Sequence, residues 1–179
     1  MKQCRVAAAS TIIGLVGVMT ACGKHEPPSA PPPPPAASPG TPVAVSAHPS
    51  PTPFDGAIPA EGGLCALDAI SGASADDRTL VLDSETIFGG WAGDAAKRVD
   101  PSARLVLQGD TAAYSTPLGV PAARPDVAKA HGSPDLENAG FNAFVHLKGM
   151  PAGHYRLLVV FPGTGTSCDF HRTIELVSG

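Results

Sequence analysis

Over the last two thirds of the chain, apolar residues recur with a period of two, in short runs broken by Gly, Pro and Asp. That alternation marks strands with one buried face rather than helices. The clearest run is 141–148, where Phe141, Ala143, Val145 and Leu147 share one face. Asn142, Phe144, His146 and Lys148 share the other, and only Phe144 is out of character. Residues 154–161 repeat the pattern with Tyr155, Leu157, Val159 and Phe161. Further strands are expected at 64–70, 79–82, 86–92, 103–108, 112–116 and 170–177. Pairing the two strongest runs as a hairpin through 149–153 sets Leu147 opposite Tyr155, with Lys148 beside His154 and His146 beside Arg156. That register would gather the four basic groups into one outer face. Pro125 and Pro134 suit first helical positions and predict two short turns, 125–130 and 134–139. Ser133 would cap the second and Gly140 would end it. The set predicts an all-β, immunoglobulin-like antiparallel sandwich over 54–179, and Gly153-His154-Tyr155 suits the tyrosine corner of such folds.

The N-terminus is patterned differently. Lys2 and Arg5 precede an apolar stretch, 6–18, containing Ile12, Ile13, Leu15 and Val16. It falls short of the ~20 residues of a membrane span and reads as a secretory signal. The closing residues Val18-Met19-Thr20-Ala21-Cys22-Gly23 resemble the lipobox of bacterial lipoprotein signal peptides, with Met19 where Leu is usual. The resemblance implies cleavage before Cys22, a diacylglycerol thioether on its sulfur and acylation of the new terminus. Such chains contribute ~0.8 kcal/mol per buried methylene, so two or three anchor the protein permanently to a membrane. Gly23 rather than Asp after the cysteine implies, in a Gram-negative host, sorting to the outer membrane. The competing reading is an ordinary secreted protein in which Cys22 follows the cleavage site.

Composition then divides the chain into 1–21 (signal), 22–53 (tether) and 54–179 (domain). Twelve of the 20 prolines lie between Pro27 and Pro53. Proline removes backbone donors, so this stretch cannot build ladders; as polyproline II it would reach up to ~95 Å. The chain carries 12 basic and 16 acidic residues, −4 overall, and loses Lys2 and Arg5 with the signal to leave 10 against 16, or −6. An acidic chain without basic clusters argues against nucleic acid and against electrostatic docking on anionic lipid. Of the four cysteines, Cys4 lies in the expected signal and Cys22 is the lipid candidate. Cys65 and Cys168 remain as a pair for a disulfide in an oxidising compartment.

Within the domain, four pieces in order resemble a bacterial extracytoplasmic β-sandwich domain that occurs beside membrane glycosyltransferase-like and cell-envelope proteins. They are Leu67-Asp68-Ala69-Ile70-Ser71-Gly72, Gly90-Trp91-Ala92-Gly93-Asp94, Arg124-Pro125-Asp126-Val127-Ala128, and Ala139-Gly140-Phe141 followed by Pro151-Ala152-Gly153-His154-Tyr155. The resemblance implies fold and compartment and carries no established activity. Three residues are candidates for ligand binding. Trp91, the single tryptophan, would stack on a sugar if exposed, although its flanking glycines and strand context favour packing. Arg124 and Asp126 would hold a ligand carboxylate or phosphate, or else Arg124 would tie a helical turn to an acidic partner such as Asp94, with Asp126 at the helix N-terminus. His131 and His171 lack metal-ligand spacing with any cysteine. The acidic residues Asp76, Asp77, Asp83 and Glu85 do not form a calcium-loop motif. No nucleophile elbow is present, and Gly163-Thr164-Gly165-Thr166 lacks the lysine of a phosphate loop. The expectation is a non-enzymatic envelope lipoprotein without cofactor or metal, engaging envelope proteins or cell-wall components. The alternative is a carbohydrate-binding module for envelope glycans.

Overall fold

A computed structural model describes residues 48–179. The expected signal, the candidate Cys22 and the expected tether up to residue 47 lie outside the described residues. The elements are β1 (Thr52–Pro53), β2 (Leu64–Ile70), β3 (Ala73–Ser74), β4 (Arg78–Val81), β5 (Glu85–Gly93), β6 (Arg104–Gln108), β7 (Ala113–Pro117), β8 (Val120–Ala122), α1 (Pro125–His131), a 3₁₀ turn (Pro134–Leu136), β9 (Gly140–His146), β10 (Gly153–Phe161) and β11 (Thr166–Val177). They form a six-stranded sheet in the order β1-β7-β6-β10-β11-β4 and a five-stranded sheet in the order β3-β2-β5-β9-β8. Every pairing is antiparallel except β11 with β4. β2-β5-β9-β8 stand in the places of strands A-B-E-D of an immunoglobulin-like sandwich, and β6-β10-β11 in those of C-F-G. The expected fold class is therefore the observed one.

Alternation places the core between the sheets. Phe88, Phe141, Ala143 and Val145 from the smaller sheet meet Leu105, Leu107, Leu157, Val159 and Phe161 from the larger. Tyr155 joins them, and its hydroxyl donates to the Pro151 carbonyl at 2.9 Å, closing the tyrosine corner. β6 and β10 are apolar on both faces because a second layer covers the larger sheet's outer side. Phe54 and Ile58 pack there on Val106, Leu158 and Val160. This covering begins with β1, whose two residues pair with Ser115 and Tyr114, so the sheet starts ahead of residue 54. The Ser167 amide then donates to Ala60 O and its hydroxyl to Pro59 O, before the chain crosses into β2. Residues 52–63 thus form a belt. The sheet edges are short or interrupted: β1 has two residues and β8 three with Pro121 in the middle, which leaves little edge to recruit another chain.

Several expectations are corrected. The 141–148 and 154–161 runs are not a hairpin: β9 lies in the smaller sheet and β10 in the larger. Leu147, just past the end of β9, and Tyr155 on β10 are both buried in the shared core, reaching it from opposite sides. Alternation reveals which face is buried and not which sheet carries it. His146 and Arg156 are consequently not neighbours; Arg156 instead bonds Asp169 on β11 at 2.6 Å. The second helical turn is a 3₁₀ turn ending at Leu136, and Gly140 begins β9 rather than stopping a helix. The Ser133 hydroxyl does not cap that turn but donates to Lys97 O. β8 has no counterpart among the expected strands, because Val120-Pro121-Ala122 shows no alternation to read.

Candidate functional site

The sequence-marked polar residues meet at one end of the smaller sheet, where α1 and the 3₁₀ turn lie between β8 and β9. Arg124 occupies the position before α1 and offers no side-chain cap. Its guanidinium is spent sideways. Nε donates to Asp126 Oδ1 at 3.0 Å, Nη2 to Asp126 Oδ2 at 2.9 Å and Nη1 to Asp68 Oδ2 at 2.7 Å. The side chain lies close over β9, where an added Cβ on Gly140 would meet Arg124 Cγ at 2.9 Å. Hydrogen bonds from Arg124 hold the Asp126 carboxyl below its ordinary range, and those bonds to Asp126, with the Asp68 charge, secure the guanidinium's proton in turn. The group is a clamp binding α1 to β2 across the sheet.

Asp68 is the partner that sequence reasoning missed. A register shift between Leu67 and Ala69 where β2 pairs with β5 leaves Asp68 without a ladder partner, as a β-bulge does, and its side chain is exposed. The expected partner Asp94 instead pairs with Arg98 at 3.7 Å. Trp91 is half-buried and packs in a satellite cluster with Val127, Leu136 and Ala139. Its ring centroid lies 5.1 Å from that of His131. The structure therefore brings Trp91, Arg124 and Asp126 to one end of the fold, with the tryptophan under α1 rather than between the sheets.

A second feature lies at the same end, where the β7–β8 crossover passes between the sheets. It is a cavity of about 270 Å³ walled by Ala92, Ala103, Leu118, Ala139 and Phe141. Asp100 is the one charged residue in its lining. The Ser102 amide and hydroxyl both donate to Asp100 Oδ1, at 2.8 and 2.6 Å, and the Gly163 amide donates to Oδ2 at 2.9 Å. Partial burial pushes this carboxyl up, but those donors outweigh it and hold it below its ordinary value. The local signal was Asp100-Pro101-Ser102, a turn-forming triplet.

Cys65 on β2 and Cys168 on β11 are joined by a disulfide across 103 positions, tying the two sheets together. Cys168 lies within β11, ahead of the stretch 170–177 where its strand is expected. Among the described residues, no three His, Cys, Asp or Glu side chains are grouped to hold a metal, and no helix is long and apolar enough to cross a membrane. No protein-family model, curated protein or solved structure matches the chain.

Proposed function

We propose that the chain is a lipid-anchored protein of the bacterial cell envelope, held through acylated Cys22. Its proline-rich tether sets a non-catalytic, partner-binding sandwich away from the bilayer. The observation that carries this reading is the Cys65–Cys168 bond. Structural disulfides persist in oxidising, extracytoplasmic compartments, the destination that the signal-like stretch ending at Cys22 implies. Arg124 and Asp126 are committed to each other and, through Arg124, to Asp68, so these polar candidates are spent on structure rather than on chemistry. With Gly23 after the cysteine, the reading places the anchor in the outer membrane. The test is Cys22→Ser expressed in a Gram-negative host fed a clickable palmitate analogue. Wild-type protein incorporates the label and sediments with outer membranes, whereas the variant is unlabelled and soluble after lysis. Equal labelling, or equal sedimentation, would sink the assignment.

A further inference from the structure

The cavity beside the β7–β8 crossover serves neither the Arg124 clamp nor the tether. Its origin is legible in small side chains. Ala92 continues the inward row of Phe88 on β5, and Ala103 stands ahead of Leu105 on the inward row that β6 carries. Both alanines are buried members of the shared core. Two methyl groups thus stand where leucine and phenylalanine fill that core elsewhere. Pro101, Pro117 and Pro121 border the same space, and their locked φ angles limit how far its wall can collapse.

Size and lining then select an occupant. A volume of about 270 Å³ exceeds the ~150 Å³ of an apolar cavity that admits benzene, so one ring with a short arm fits. Val99, Leu118 and Phe141 supply apolar wall. Asp100 is the one charged residue among the described residues of the lining, and its carboxylate is engaged elsewhere. Its oxygens accept from Ser102 and Gly163, neither of which borders the cavity. Gly163 borders instead a separate open groove, which Asp100 shares with Asp94 and Arg98. An ion of either sign entering the cavity would therefore shed water and meet no free counter-charge, which is costly. An uncharged ring pays no such penalty and gains by burying its apolar surface. We propose that this cavity binds a small uncharged molecule, its single ring against Val99, Leu118 and Phe141 and its short arm directed to the solvent-exposed mouth at Asn138. The assignment goes beyond the envelope reading and does not depend on the anchor.

The test titrates 2-phenylethanol into the ¹⁵N-labelled full chain. The expected result is saturable shifts of the Val99, Leu118, Gly119 and Phe141 amides, with a Kd of roughly a millimolar. The ammonium and carboxylate counterparts, 2-phenylethylamine and 3-phenylpropionate, should each bind at least about tenfold more weakly. Asn138 is exposed at the rim, so Asn138→Phe closes the mouth from outside, and Ala103→Leu fills the cavity from its floor. Each is expected to weaken the alcohol at least about tenfold. The proposal is overturned if those amides do not shift, if either ion binds as tightly as the alcohol, or if natively folded Asn138→Phe binds as wild type does. Should Ala103→Leu fail to fold, the Asn138→Phe result decides.

Discussion

At the scale of single residues, the fold rests on side chains whose polar ends find one particular partner. Tyr155 is 4 % exposed, with its ring in the core and its hydroxyl on the Pro151 carbonyl. Replacing it with Phe leaves that carbonyl without its donor and should lower stability by about 1–1.5 kcal/mol in urea unfolding at neutral pH. Burial, and behind it the neighbouring Tyr114 phenol, raise the Tyr155 hydroxyl above its ordinary value. A raised phenol contributes stability that is present below its unfolded value of about 10 and is lost as pH climbs through the folded value. The gap between wild type and Tyr155→Phe should therefore narrow above that pH; a gap that stays constant would show that the phenol is not held neutral by the fold. This corner was readable beforehand because it is local: glycine, strand start and tyrosine are consecutive. The Arg124 clamp was not. Its partner lies 56 residues upstream, and alternation along β2 gives the face that Asp68 takes but not which distant side chain stands over it.

At the scale of elements, the period-two pattern located most strands and their buried faces, including β2 at its observed ends. It failed on assembly, as β9 and β10 illustrate: two runs with matching apolar faces suit a hairpin and a sandwich equally. The deciding evidence was in the sequence but weak. β10 carries Leu158 and Val160 between its inward residues, so it is apolar on both sides and needs a cover, whereas β9 alternates with Asn142 and His146. The cover is the belt. Phe54 and Ile58, in a stretch that composition alone assigns to the start of the domain, shield Val106, Leu158 and Val160, which are at most 4 % exposed. Changing Phe54 and Ile58 together to Ser should lower stability by about 2–3 kcal/mol. It should also uncover an apolar patch on the larger sheet. Urea unfolding reads the first effect and binding of an apolar dye the second. An unchanged midpoint without dye binding would mean that the belt lies on the sheet without stabilising it.

For the whole molecule, the question is what keeps two sheets together when one is clamped to a helical turn and the other is wrapped by a belt. Their shared core is continuous from Phe88 to Phe161, yet the covalent link between them is the Cys65–Cys168 bond. That bond joins the strand that opens the smaller sheet to the strand that ends the chain, and nearly the entire fold lies within its loop. In the chain-entropy account the constraint on the unfolded state grows with loop length and reaches ~4.7 kcal/mol for about 100 residues. Measured effects fall below that limit because the reduced chain keeps some structure. Reduction, or Cys65→Ala with Cys168→Ala, should therefore lower stability by about 3 kcal/mol and the melting temperature by roughly 10 °C for a domain of this size. The sandwich should stay folded at room temperature, because the core between the sheets is unchanged. Calorimetry with and without a phosphine reductant measures the shift, with the double alanine variant as the control that reductant leaves unmoved. A reduced protein that melts with the oxidised one would show that the core alone holds the sheets. Complete unfolding at room temperature would show the opposite: that the core of this small sandwich is too weak to hold without its staple, and that it folds only where thiols are oxidised.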